Sequence, residues 1–164
     1  MLNNLDIDTL VSMVDTFLEP FGLDSDFDTD FFYDPEDETV FFSLIISERA
    51  DRLFRKYVHD TFSFNIPNIF MFSLLHEIGH SQTLWTFPKK ILRDTEEQKR
   101  KISKALEKTN SDEFFLKYFD LEVERLATEW AVNYYKTNTK QCEDFYSIFS
   151  EELHRQYAEI GLTE

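Results

Sequence analysis

Between Phe72 and Thr83 the chain reads FSLLHEIGHSQT, with Glu77 its one acidic residue and Leu74, Leu75, Ile78, Gly79, Ser81 and Gln82 uncharged around two histidines. A run of that kind predicts a helix buried between layers, which the rest of the chain has to supply. Pro67 is well placed for the first helical turn and Pro88 follows, bracketing the helix at about 67–85. Only three Gly and four Pro occur in 164 residues, so other long stretches are equally free to run as helices. The length suits one domain, residues 1–164, and 42% hydrophobic residues with 18 Phe make the chain too apolar to stay disordered.

Leu5, Leu10, Met13, Val14, Phe17 and Leu18 fall at helical spacing ahead of Pro20 and Gly22, predicting a first amphipathic helix. The turn signal Asp34-Pro35-Glu36-Asp37 lies between two aromatic or β-branched runs and predicts a hairpin of about 30–34 and 39–46. Its second strand, Val40 to Ile46, is apolar enough to be covered on both faces. Helical spacing resumes through Ala50, Leu53, Phe54 and Tyr57. After Pro88, the stripe Ile91, Ile102 and Leu106 is thin, which predicts an exposed helix. Asn110 or Ser111 supplies an N-cap for one long helix reaching about 137, and a last amphipathic helix of roughly 141–159 ends near Gly161. No internal repeat, low-complexity segment or flexible linker is evident.

Charge is distributed unevenly. The net charge is -15, and residues 1–48 hold 13 acidic residues with no Lys or Arg, whereas Lys89 to Lys108 carries eight of the 17 basic residues. Such acidity argues against direct nucleic-acid binding, which needs a basic surface for phosphate, and leaves room for a basic protein partner. The lone Cys142 excludes an internal disulfide framework and points to a reducing compartment. The first residues lack the basic start and cleavage site of a secretory signal, and no apolar run approaches a membrane span, so a cytoplasmic location is expected.

The chemistry lies in the opening run. Residues four apart on a helix project from one face, so His76 and His80 can present imidazoles to a single ion, half of a tetrahedral zinc shell. Glu77 is turned about 100° from His76. It is too offset to ligate comfortably, yet near enough to act as general base on a zinc-polarised water attacking a carbonyl carbon. The third ligand has to come from elsewhere. His59 and His154 are the only other histidines, and the Glu122, Glu124 and Glu129 carboxylates of the later helix are better candidates. One carboxylate can reach across only if small residues let two helices close up, and Glu124 has Ala127, Thr128 and Ala131 on its side. Glu122 lies about 160° away from it. Thr128 is then placed to hydrogen-bond a histidine's second nitrogen and fix its tautomer.

HEIGH followed by ERLATEWA resembles the gluzincin type of zinc metallopeptidase. In that type the two motif histidines and a glutamate on a later helix hold the zinc, and the second motif commonly reads Glu-x-x-Ala-Asp-x-x-Ala. Its positions map onto Glu124, Ala127, Thr128 and Ala131, with Thr128 departing where an aspartate is common. The small size is similar to metallopeptidases of phages and mobile elements, and the second run also resembles antirestriction proteins with a metalloprotease-like domain. A metzincin is excluded, since Thr83 and Thr86 stand where that extended motif needs glycine and histidine.

The expected architecture is therefore α+β: a mostly helical, zincin-like domain with a small antiparallel sheet and a buried metal helix. Zinc held by His76, His80 and Glu124, with Glu77 as base, implies hydrolysis of a protein or peptide substrate added as a strand at Val40 to Ile46 or Phe31 to Tyr33. Tyr118, Tyr134, Tyr135 and His154 are candidates to stabilise the oxyanion. The rival expectation is an acidic binding protein, imitating a polyanion, that keeps the fold without needing proteolysis. A third keeps the fold without any metal.

Overall fold

The computed structural model describes residues 4–109 and 111–161. Helix α1, Ile7–Leu18, is capped by Asp6, whose carboxylate accepts from the Thr9 amide, and it buries Leu10, Val14, Phe17 and Leu18. A short 3-10 turn opened by Pro20 ends it, and Gly22 follows in the left-handed region at φ 69°. Strands β1 (Asp24–Phe27), β2 (Phe32–Asp34) and β3 (Thr39–Phe42) form one sheet in the order β1-β3-β2.

This sheet is mixed, not wholly antiparallel. β2 and β3 make the expected hairpin, with Phe32 opposite Phe41, while β1 runs parallel to β3, with Ser25 opposite Val40. The acidic sequence of β1, DSDF, hides a strand because its alternation is carried by Ser25 and not by a large apolar side chain. Asp15 of α1 holds it there, accepting from both the amide and the hydroxyl of Ser25 at 2.7 Å. Strand β3 stops at Phe42, short of Ile46, because Ser43 turns the chain by accepting from the Ile45 amide and donating to its carbonyl. Only one of its faces is deeply covered. Val40 and Phe42 enter the core, whereas Phe41 stacks on Phe32 at 4.3 Å on the outer face and Ile45 is 65% exposed.

Helix α2, Glu48–Phe62, leads to α3, Ile69–Thr83, whose cap is Asn68 accepting from the Met71 amide, so Pro67 sits just outside the first turn. α3 is buried almost all round, from Phe70 to Thr83. Helix α4, Lys89–Thr109, follows. The single long helix expected to 137 is two: α5, Asp112–Phe119, capped by Ser111, and α6, Glu122–Thr137. No Gly or Pro marks the break. Tertiary packing makes it, since α5 lies against α2 and α4 while α6 packs on α3, with Asp120 at the corner accepting from the Tyr57 hydroxyl. Asn110, the other proposed cap, lies outside the described residues. Helix α7, Thr139–Glu159, returns to α1, where the Gln156 amide group accepts from the Asp6 N–H at 2.8 Å and donates to its carbonyl.

The core is aromatic, with Phe42, Phe70 and Phe149 meeting where β3, α3 and α7 converge. α3 is thereby fixed between the sheet and α6. No helix among the described residues is long and apolar enough to cross a membrane.

Candidate metal centre

The site exists because α3 and α6 approach closely. A Cβ on Gly79 would stand 2.4 Å from the Ala127 carbonyl oxygen, so this crossing tolerates only glycine there. Ala127, Thr128 and Ala131 are fully buried on the α6 side. At that separation the Glu124 side chain, 2% exposed, reaches both motif histidines: its Oε2 lies 3.1 Å from His76 Nε2 and 3.3 Å from His80 Nε2. One donor atom from each of the three residues lies within 4.8 Å of the others. Adjacent ligand atoms of a tetrahedral site with bonds of 2.0–2.1 Å are about 3.3 Å apart, close to the spacing of the two imidazole–carboxylate pairs.

The Thr128 hydroxyl bears on the tautomer of His76. The Thr128 hydroxyl has one proton and donates it to the Glu124 carbonyl oxygen at 2.8 Å, leaving it to accept from His76 Nδ1–H at 3.1 Å. The His76 Nε2 lone pair then points at a carboxylate oxygen. A proton or a metal ion between those two atoms satisfies both, and the group His76, His80 and Glu124 can hold a metal ion. Burial alone would raise the Glu124 pKa, but its contacts with the His76 and His80 imidazoles outweigh this and hold the carboxyl well below its ordinary value.

Glu77 does not join the ligands. It lies 8% exposed among the residues lining the adjoining cleft, near the backbone of Tyr33 in β2. Burial pushes its pKa up to about 7; His76 opposes this and the Glu124 charge adds to it. A carboxyl so placed exchanges a proton readily near neutral pH. The cleft measures about 760 Å³ and is walled by Phe31, by Phe32 and Tyr33 of β2, by Ile45 and Ile46, and by Phe115 and Tyr118 of α5. Helix α4 closes its far side through Leu92, Thr95, Lys99, Ser103 and Leu106, so α4 is not simply an exposed helix.

Several expected alternatives lie elsewhere. Glu122 and Glu129 are exposed on the other side of α6, and His59 is exposed beside Asp60. Tyr118 is the only oxyanion candidate among the described residues lining the cleft; Tyr135 is in the core, Tyr134 donates to Gln141, and His154 is exposed on α7. Lys99 was not foreseen. Its ammonium lies 2.6 Å from Glu124 Oε1, and the one hint was a lysine at helical spacing between Leu92, Thr95 and Leu106. A scan of protein-family models, a search of curated proteins and a search of solved structures found no match to this chain.

Proposed function

We propose that this chain is a zinc-dependent peptide hydrolase of the gluzincin type, with a zincin-like arrangement of its metal helix and edge strand. The observation that carries the reading is the convergence of His76 Nε2 and His80 Nε2 on one Glu124 oxygen, with the Thr128 hydroxyl against His76 Nδ1. Zinc suits two imidazoles and a carboxylate in tetrahedral spacing, and when bound it supplies a Lewis acid for water and for the scissile carbonyl. Glu77 takes the proton from the attacking water and returns it to the leaving amine, its carboxylate lying near the Tyr33 backbone. Among the described residues β2 pairs on one side only, with β3, so its other edge suits an extended peptide that adds as a strand. The cleft walls are mostly aromatic and aliphatic, which favours a substrate segment with large apolar side chains.

Metal analysis of the purified chain beside Glu77→Gln tests the proposal. One zinc per chain in both proteins, with peptide hydrolysis lower by about 100-fold or more in the variant, is the expected result. Absence of bound metal, or hydrolysis indifferent to Glu77→Gln, contradicts it.

One observation favours a second reading, an acidic module that occupies a basic protein. Asp24, Asp26, Glu36, Asp37 and Glu38 are all exposed around the sheet. Inhibition of such a partner that survives Glu77→Gln and fails in high salt would select it.

A further inference from the structure

Lys99 differs from its neighbours on α4. Its side chain is only 22% exposed, against 71% for Lys101, and its ammonium is directed into the centre and not toward solvent. The groups around it are Glu124 Oε1 at 2.6 Å, Glu96 Oε1 at 3.6 Å, and the Tyr118 ring, whose centroid is 5.6 Å away. The two oxygens of Glu124 are thus used differently. Oε2 faces both histidines, whereas Oε1 is sealed from water and has no directed hydrogen bond, so Lys99 supplies its one close positive charge among the described residues.

That division has a chemical consequence. A carboxylate beside a divalent ion can bind through one oxygen or through both, and the second mode fills a position that hydrolysis needs for water. From this geometry we infer that Lys99 is a positioning residue that retains Glu124 Oε1 and keeps Glu124 a one-oxygen ligand. The inference rests on the metal-centre reading above. Lys99 also opposes cation binding, because its charge has the same sign as the ion and lies next to the ligand. Removing the ammonium should therefore tighten metal binding while slowing hydrolysis. A side chain that merely supported the fold would weaken both.

The experiment uses Co²⁺ alone as the probe, titrated into the full chain against a chromophoric chelator, with the visible absorption of the bound ion recorded. Lys99→Met, which keeps the aliphatic stem and loses the charge, is expected to bind Co²⁺ about tenfold more tightly than wild type. Its visible bands should also weaken, as they do when four-coordinate cobalt gains a fifth ligand. Lys99→Arg, which keeps the charge, should restore the wild-type affinity and spectrum. If circular dichroism shows Lys99→Met unfolded, Lys99→Gln is read for the same gain in affinity. Equal or weaker Co²⁺ binding by the neutral variant, with an unchanged spectrum, overturns the inference and leaves the metal centre standing. Failure of the wild type itself to bind Co²⁺ overturns both.

Discussion

A methyl group on Gly79 would collide with the Ala127 carbonyl, so Gly79→Ala has to push α3 off α6. The expected loss is about 1–3 kcal/mol of stability in a urea titration, together with weakened metal binding, because Glu124 then no longer reaches both histidines. Thr128→Val tests the other contact. It keeps the volume but removes the hydroxyl that orders His76, so metal affinity should fall about 10- to 100-fold in a chelator competition with the fold intact. Cys142 gives a prediction in pH. Burial pushes its thiol from 9.0 up to about 11, so the unfolded chain loses this proton first as pH rises. The thiol's contribution is fully present below about pH 9 and is lost as pH rises toward 11, a decline of about 2–3 kcal/mol. The wild-type stability advantage over Cys142→Ala should shrink by that amount over that range. At this scale the sequence was informative. His76, His80, Glu77 and Glu124 could be placed because helical periodicity assigns them faces, and small residues mark where two helices can touch. Lys99 could not, since one lysine among eight basic residues of a helix reads as solvated until the partner across the cleft is known.

Among the elements, α1, α2 and α7 were the most legible, because their periodic faces are local properties, and of the caps only Ser111 was expected. Asp6, Ser47, Asn68 and Ser111 each cap a helix by accepting an amide hydrogen bond. What escaped sequence reading was set by distant contacts. β1 is a strand because Asp15 of α1 binds Ser25, and α5 separates from α6 because each packs on a different neighbour. α1 and α7 are joined by the same kind of long-range contact, in which Gln156 accepts from the Asp6 amide and donates to its carbonyl across 150 residues of sequence. Gln156→Leu leaves both backbone groups partly buried without those partners. A loss of about 1–3 kcal/mol in chemical denaturation is expected, with metal binding at the distant centre unchanged.

At the scale of the whole molecule, the aromatic core fixes α3 between the sheet and α6, and α4 and α5 wall the cleft over the centre. The two-ended charge distribution was visible in sequence, but not that one residue of the basic segment would turn inward to meet Glu124. Ligand atoms drawn from α3 and α6 couple the metal to the packing of the whole chain, so a chelator should lower stability. At a free zinc concentration 100 times the dissociation constant the difference is about 2.7 kcal/mol, readable as a drop in melting temperature. The central claim is the shared centre itself, and anomalous diffraction at the zinc absorption edge from crystals of the zinc-loaded chain tests it most directly. The account predicts one peak at bonding distance from His76 Nε2, His80 Nε2 and Glu124 Oε2. A peak elsewhere, or one that Glu124 does not touch, would contradict it.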